Sequence, residues 1–397
     1  MAPGASARRF RSYAAPGIFP PVPALRVLHL DSGREWRSVQ RQLLLLAEAQ
    51  RAGDLEPVVV APRAAPLVRR ARAAGLASAA VTVRAELDVV AARRVRRLVR
   101  MWRPDLVHAH DARAHGVALI ALLGRDVPLV VTRWSAARIP ARAALRFAPR
   151  AQHFVAVTHA AAAALRAASV PADRVHVVPP GLAGRDTAAC RDWREELRWP
   201  DSALVCGVLG SVDADGEARL VGALTRVPTP VRLRLRLVRF GGGAAGAHLL
   251  AGVPAVRVGF VDDMAAAIAG LDLLCDLSTS ERLALAVLEA LAVGTPAVAV
   301  ARGGIGELAR DGESALLVAP EPLATLDART AAAITRLAGD AALRARLVAA
   351  AAPLVRSLTV ARMARGVREV YARAIAARDA TRGATRDSTR VRDPAAG

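Results

Sequence analysis

The chain has 397 residues and a formal net charge of +21, and 53% of its residues are hydrophobic while 3% are aromatic. This length favours two domains, and the apolar content suffices for cores of alanine, leucine and valine. All of the positive charge is arginine, spread along the chain without a nucleic-acid-binding motif, which excludes nucleic acid as the expected partner. No uncharged apolar segment reaches the roughly 18 residues that a membrane-spanning helix needs.

The first half of the chain alternates between strand and helix patterns. Residues 1–23 contain several prolines and no continuous apolar segment, so they predict a flexible leader rather than a signal peptide. From 24 to 182, short apolar strands such as Leu25–Leu30 are each followed by a helix pattern such as Ser38–Arg51. This alternation with short turns predicts a parallel sheet covered on both faces, and hence a first Rossmann-like domain at 24–182.

The second half repeats this architecture after a predicted linker at 183–200. Renewed strand–helix alternation predicts a second Rossmann-like domain at 201–357, so the fold class is α/β throughout. An amphipathic helix is predicted at 358–377. The remaining segment, 378–397, is polar and rich in Arg, Asp and Thr, which predicts a disordered tail.

The segment Ser278–Pro320 concentrates the chemistry of the second domain. Its apolar spacing predicts a helix that begins near Ala284 and ends at Gly294-Thr295-Pro296. Glu281 precedes this helix, and Glu289 lies about one and a half turns inside it. A carboxylate accepts two hydroxyl donors side by side, as the vicinal hydroxyls of a ribose or hexose offer them. The free N–H groups at the helix start suit a diphosphate.

An isolated pair of this kind is more often a helix cap and an exposed helix residue. Here the pattern S-x-x-E-x(7)-E-A-L-A-x-G-T-P-A-V-A-V-x-x-G-G-x-x-E-L-x-x-D-G closely resembles that of retaining GT-B glycosyltransferases of family 4. The resemblance implies two Rossmann-like domains facing each other across a cleft, a nucleoside diphosphate sugar as donor, and no metal or other cofactor. It places Glu281 beside the donor sugar and Glu289 on the ribose. The expected diphosphate ligands are the amides of Leu283, Ala284 and Leu285, with Gly303 and Gly304 shaping the turn beside the nucleotide.

The resemblance extends to the first domain. Pro104-Asp105-Leu106-Val107-His108-Ala109-His110 is similar to the strand end P-D-x-V-H-x-H, whose second histidine faces the donor sugar in the family. His110 is therefore the catalytic residue expected from this domain, and the alternative is a histidine that is merely hydrogen-bonded within its loop. In relatives the last helix crosses back onto the first domain, which we expect of 358–377.

Two cations that are typical of the family are missing. Relatives place an arginine and then a lysine after the first strand of the second domain, where this chain has Ser211 and Asp215. Arg219, Arg239 and Arg282 could replace them at the diphosphate, and Arg282 is favoured because it follows Glu281 directly; its alternative is a solvent-exposed loop arginine. The loss supports a second hypothesis, a degenerate GT-B protein that binds a nucleotide or a partner without turnover. A sugar-nucleotide epimerase fits the glutamate spacing less well.

The basic helix Ala91–Arg103 raises the question of a membrane partner. Such a helix can lie on anionic lipid, although an ordinary helix with an apolar inner stripe and a solvated arginine face is the favoured interpretation. The three cysteines are far apart and odd in number, which predicts a reducing compartment. We expect a cytoplasmic protein, at most peripheral on the inner face of the membrane. Its acceptor is a carbohydrate, a lipid or a small molecule.

Overall fold

The protein is described by a computed structural model over residues 25–140, 152–183, 190–209, 214–242 and 246–390. The elements of the first domain are β1 (Leu25–Leu30), α1 (Ser38–Ala52), β2 (Leu55–Ala61), α2 (Pro66–Ala73), β3 (Ala77–Ala80), α3 (Val89–Trp102), β4 (Leu106–Ala109), α4 (Ala112–Ala121), β5 (Leu129–Arg133), β6 (Gln152–Ala156), α5 (His159–Ala167) and β7 (Val175–Val177). They form a seven-stranded sheet in the order β3-β2-β1-β4-β5-β6-β7. Every pair of neighbouring strands in it is parallel.

The second domain contains a second seven-stranded sheet. The remaining elements are α6 (Trp193–Leu197), β8 (Leu204–Leu209), α7 (Ala214–Arg226), α8 (Thr229–Arg232), β9 (Leu235–Phe240), β10 (Gly246–Leu250), β11 (Val253–Gly259), α9 (Met264–Ala269), β12 (Leu273–Asp276), α10 (Leu285–Val293), β13 (Ala297–Val300), α11 (Ile305–Leu308), β14 (Leu316–Val318), α12 (Leu326–Gly339), α13 (Ala341–Ser357) and α14 (Val360–Arg390). The strand order is β10-β11-β9-β8-β12-β13-β14, and β10 pairs antiparallel with β11. The predicted α/β class with two Rossmann-like domains is confirmed.

Both faces of the inner strands are buried, which explains why strands such as β2 and β13 are continuous apolar runs rather than alternating patterns. The last four residues of β2, Val58–Ala61, are at most 2% exposed. Aspartates begin several of the covering helices; Asp88, for example, accepts a hydrogen bond from Ala91 N at the start of α3. Gly294 ends α10 with a left-handed φ of 82°, a conformation that glycine adopts at little cost.

The last helix, α14, crosses back to the first domain. Val367, Val370 and Tyr371 pack there in one buried cluster with Val27 of β1 and Val130 of β5. The second domain is therefore connected to the first at its N-terminal end by the linker and at its C-terminal end by the packing of α14.

The helix α14 continues to Arg390, so the prediction of a disordered tail is wrong up to that residue. Arginine, a strong helix former, is the most frequent residue of this polar extension, and Arg382 pairs with Asp126 of the first domain. The end of the predicted tail, the predicted leader 1–23 and part of the predicted linker 183–200 lie outside the described residues. Within the described ranges, no helix is both long enough and apolar enough to cross a membrane.

Candidate functional site

The two domains meet where the loop after β5 pairs with the loop after β12. Ala136 N donates to the carbonyl oxygen of Glu281 over 2.8 Å, and Leu283 N donates to the carbonyl oxygen of Trp134 over 3.3 Å. The residues between them form an isolated antiparallel bridge. Both loops leave the carboxyl edges of their sheets, which is the edge where doubly wound sheets bind their ligands. The predicted motif therefore lies at the boundary of the domains.

Glu289 is the buried carboxylate of this boundary. It lies on α10 and is 5% exposed. Arg41 Nη1, from α1 of the first domain, lies 3.2 Å from Glu289 Oε1, whereas Glu289 Oε2 has no hydrogen-bond partner among the described residues. Burial raises the pKa of this carboxyl, and the charge of Arg41 opposes that shift. An unpaired buried carboxylate oxygen can accept further hydroxyl donors.

Glu281 stands outside the helix in more solvated surroundings. Its side chain is 36% exposed, and Oε1 accepts a hydrogen bond from Arg302 Nη1 over 2.6 Å. Arg302 also donates to Glu321 over 2.7 Å. Both predicted glutamates thus lie at the domain boundary. Glu281 pairs with Arg302 of its own domain, whereas Glu289 pairs with Arg41 of the first domain.

The start of α10 offers fewer free amides than expected. Leu283 N already donates to Trp134, and Leu285 N donates to the carbonyl oxygen of Leu283 over 2.9 Å. Of the three predicted amides, that of Ala284 has no hydrogen-bond partner within the described ranges. The expectation of three free amides is wrong for this arrangement, because the segment pairs with the first domain before the helix begins.

The turn Gly303-Gly304 needs both glycines for conformation and for space. Their φ angles are 63° and 85°, in the left-handed region. A Cβ on Gly303 would lie 1.9 Å from the carbonyl oxygen of Arg282, and one on Gly304 would lie 2.8 Å from the side chain of Thr158. The turn therefore packs against the segment 281–283 and against the first domain. Its place beside a nucleotide stays a prediction.

Glu307 follows this turn and joins the two domains. Its carboxylate oxygens accept hydrogen bonds from His159 N and Ala160 N, each over 2.6 Å. These amides begin α5, where the helix dipole also favours a negative charge. The sequence motif contains Glu307, but nothing in the sequence points to this partner.

His110 follows β4 and is buried, with 1% of it exposed. Its Nε2 lies 2.9 Å from His29 Nδ1, and its own Nδ1 has no hydrogen-bond partner in the part of the chain that is described. His110 lines a cavity together with Thr132 and Trp134. Burial lowers the pKa of His110 well below its usual value, and the neighbouring His108 and His29 lower it further. The imidazole is therefore neutral.

The histidine cluster does not fit a metal site. One ring nitrogen from each of His29, His108 and His110 lies within 4.8 Å of the others, which is a spacing that metal ligands can have. Hydrogen bonds already use both ring nitrogens of His29 and both of His108. The cluster is therefore a hydrogen-bonded network.

Among the candidate replacement cations, Arg219 reaches the loop that carries Glu281. It lies on α7, and its Nη2 donates to Thr279 Oγ1 over 3.4 Å. Its Nε is buried and has no hydrogen-bond partner within the described residues. The guanidinium thus contacts Thr279, two residues before Glu281 in the sequence, and its Nε remains available as a hydrogen-bond donor.

The other positions are less suited or are not described. Arg239 is bound to Glu217 over 2.8 Å, so its charge is already compensated. Arg282 is exposed, and its side chain has no hydrogen bond or ion pair within the described ranges. The preference for this residue as a phosphate ligand therefore stays a prediction. Ser211 lies outside the described residues, as does the side chain of Asp215.

Asp31 is a buried acid that sequence reasoning missed. It follows β1, is fully buried, and its oxygens accept hydrogen bonds from Gln40 Nε2, 3.1 Å from each, and from Gly33 N over 2.8 Å. Burial raises its pKa to about 7, the charge of Asp111 adds to that shift, and the two hydrogen bonds oppose it. The sequence signal for such a residue is an aspartate directly after a buried strand, in the turn Asp31-Ser32-Gly33.

Comparison with known families gives two matches that together cover most of the chain. Residues 39–183 match the family described as Glycosyltransferase Family 4, and residues 202–340 match Glycosyl transferases group 1. The boundary between the matches falls in the predicted linker.

Curated relatives are D-inositol 3-phosphate glycosyltransferases. The protein of Xylanimonas cellulosilytica is 32% identical over 321 residues, which cover 70% of this chain and 73% of that protein. The protein of Stackebrandtia nassauensis is 33% identical over 204 residues, 45% of this chain and 44% of the relative. This chain therefore spans less than half the length of the second relative.

Solved structures show the same fold at low identity. Anabaena HepE in complex with UDP-glucose superposes with a TM-score of 0.75 at 19% identity, covering 88% of this chain and 99% of that one. WaaG, a glycosyltransferase involved in lipopolysaccharide biosynthesis, superposes with a TM-score of 0.66 at 15% identity over 87% and 99% of the two chains.

Proposed function

Because this chain belongs to the family 4 glycosyltransferases, which share the GT-B fold, we propose that it transfers a hexose from a nucleoside diphosphate sugar to an acceptor with retention of configuration. The bond from the anomeric carbon to the diphosphate oxygen breaks, and a bond to the acceptor oxygen forms on the same face. The acceptor's hydroxyl proton leaves with the nucleoside diphosphate. The observation that carries the proposal is Glu289, whose Oε2 is buried at the domain boundary without a partner among the described residues.

The residues at the boundary supply the binding interactions for such a donor. Glu289 accepts the ribose hydroxyls, because a buried carboxylate binds two vicinal donors side by side. The amide of Ala284, at the positive end of α10, binds the diphosphate. Glu281 lies beside the sugar, and His110 contacts it from the first domain when the domains close over the donor.

We assign the missing phosphate cation to Arg219. Its replacement by methionine is expected to raise the donor KM about tenfold to a hundredfold, because a hydrogen bond to a charged group contributes roughly 1.5–3 kcal/mol. Arg226→Met on the same helix is the matched control, since Arg226 bonds the carbonyl oxygen of Gly222 on its own helix. Steady-state kinetics with varied donor decides the assignment, and equal KM values for both variants would remove it.

The proposed function is tested with a panel of UDP- and GDP-sugars, scored by thermal shift and by nucleotide release. The acceptors include simple sugars, anionic lipid and an inositol phosphate, the last because the curated relatives are named for it. A thermal shift with acceptor-dependent release of nucleotide supports the transferase. A shift without turnover across the panel supports the non-catalytic binding protein, and no shift at all refutes both.

We further propose that the enzyme works in the cytoplasm and contacts anionic lipid through α3. The solvent side of this helix carries Arg94 and Arg97, and apolar side chains are exposed at its two ends: Val90 is 59% and Met101 60% exposed. Basic helices with exposed apolar ends bind anionic membrane surfaces. Free thiols at Cys206 and Cys275, 3.5 Å apart in the second domain, fit a reducing compartment.

Liposome flotation tests the lipid contact. The protein is expected to float with acidic vesicles at low salt, to dissociate at high salt, and to lose flotation when Arg94 and Arg97 are both replaced by glutamate. A matched charge reversal at Arg226 and Arg232, in the second domain, should leave flotation intact. If the unmodified protein stays with the unbound fraction at low salt, the contact does not exist.

A further inference from the structure

A chain of buried hydrogen bonds connects the last helix to His110. Gln50 of α1 bonds His29 Nε2 through its Oε1 over 2.8 Å, and donates from its amide nitrogen to Tyr371 Oη over 3.1 Å. His29 in turn bonds His110. Tyr371 belongs to α14, which joins this network from a sequence distance of more than two hundred residues. All four side chains are buried.

The direction of these bonds fixes the position of each hydrogen. Because Gln50 Oε1 only accepts, His29 must carry its hydrogen on Nε2, which leaves Nδ1 as an acceptor. His110 must then donate from Nε2, since this nitrogen faces His29 Nδ1 over 2.9 Å. A neutral imidazole has one hydrogen, so Nδ1 of His110 is an unprotonated acceptor. Among the histidine nitrogens of the described residues, it is the buried one without a hydrogen-bond partner.

The Gln50 amide is oriented with its nitrogen toward Tyr371. Its oxygen accepts from Gln50 and its hydrogen goes to His108 Nδ1 over 2.7 Å, and His108 Nε2 then donates to Thr132 Oγ1 over 2.7 Å. Without the Tyr371 hydroxyl, the amide of Gln50 could turn and present its nitrogen to His29 Nε2. The hydrogen of His29 would then lie on Nδ1, and that of His110 would lie on Nδ1 as well. Burial also keeps the tyrosine protonated, since it raises the pKa of Tyr371 above the usual value.

We infer that Tyr371 and Gln50 are positioning residues, which hold His110 as the tautomer whose Nδ1 accepts a hydrogen bond from a hydroxyl of the bound sugar. This inference rests on the proposed function for the identity of the ligand, but the tautomer itself does not. His110 lines its cavity with Trp134, whose carbonyl oxygen contacts the donor-side segment at Leu283. The last helix therefore sets the chemistry of the catalytic histidine as well as covering the first domain.

Nitrogen NMR of histidine-labelled protein tests the inference without an activity assay. The chain has 8 histidines, and the His110 resonances are assigned by their loss in His110→Gln. In the unmodified protein we expect a neutral His110 with a hydrogen on Nε2. In Tyr371→Phe we expect the Nδ1 signal to move toward that of a protonated nitrogen, as both tautomers become populated. A His110 that is cationic, or protonated on Nδ1 in the unmodified protein, overturns the inference.

Kinetics separates positioning from folding. With a donor and acceptor found in the sugar panel, Tyr371→Phe is expected to lower kcat/KM for the donor up to about tenfold, because the His110 tautomer that is protonated on Nδ1 cannot accept the hydrogen bond from the sugar hydroxyl. Val370→Ala is the control, because Val370 is buried beside Tyr371 and has no part in the network. It should lower the melting temperature and leave the His110 spectrum unchanged. If Val370→Ala shifts that spectrum as strongly as Tyr371→Phe, the network is only structural. If no donor is turned over, the proposed function fails while the spectrum still decides the tautomer.

Discussion

Replacing Glu289 by alanine is expected to weaken binding of the donor and of the free nucleotide by a factor on the order of 10²–10⁴. A carboxylate that accepts two ribose hydroxyls makes two charge-assisted hydrogen bonds of roughly 1.5–3 kcal/mol each, and about 1.4 kcal/mol corresponds to a factor of ten. Oε2 of Glu289 is the carboxylate oxygen that has no hydrogen-bond partner among the described residues. Isothermal titration with UDP and GDP measures the loss directly, and kinetics with the best donor of the panel measures it as KM.

Arg41→Met is the comparison that isolates the ribose contact. It removes the other half of the ion pair, 3.2 Å across the domain boundary, and leaves the carboxylate in place. Nucleotide affinity should therefore fall only a few-fold in Arg41→Met, although the buried Glu289 then lacks its compensating charge. Equal losses in the two variants would mean that Glu289 serves to hold the domains together, and undiminished affinity in Glu289→Ala would remove it from the nucleotide site.

The motif was predictable because its elements depend on neighbours in sequence. The helix is expected to begin near Ala284 and to end at Gly294, and it spans Leu285–Val293 with Gly294 as its C-cap. Apolar spacing, the Gly294 cap and the following proline all act within one helix or one strand. The short edge strand β10 was missed, since Gly246–Leu250 is mostly exposed and carries no continuous apolar pattern.

The partners of the site residues could not be predicted, because they depend on how the two domains pack. Arg41 meets Glu289, and Glu307 meets the start of α5, only across the domain boundary. The same packing uses the amide of Leu283 that was expected to bind phosphate. The extension of α14 differs from the expectation for another reason: its low hydrophobicity is typical of disorder, whereas its arginines favour a helix and Arg382 pairs with Asp126.

Replacing Asp31 by asparagine is expected to stabilise the protein above neutral pH. The pKa of Asp31 is about 7 in the folded protein, against an ordinary value of 3.8, so the folded state binds the proton more tightly than the unfolded state. A raised pKa contributes stability that is fully present below about pH 4 and is lost as the pH rises through 7. The loss is about 1.4 kcal/mol per pH unit, or up to about 4 kcal/mol in all.

Asparagine should fit this site, because the Gln40 amide can turn to present its Oε1, which is buried without a partner in the described part of the chain. Urea unfolding between pH 4 and 8 measures the difference from the unmodified protein, which should grow from near zero to its maximum above pH 7. Asp88→Asn is the control of opposite sign. Hydrogen bonds from the amides of Ala91 and Arg84 lower the pKa of Asp88, so its contribution is present at neutral pH and is lost as the pH falls. A difference for Asp31→Asn that stays constant with pH would show that Asp31 is ionised throughout this range, and that Gln40 and Gly33 compensate its burial.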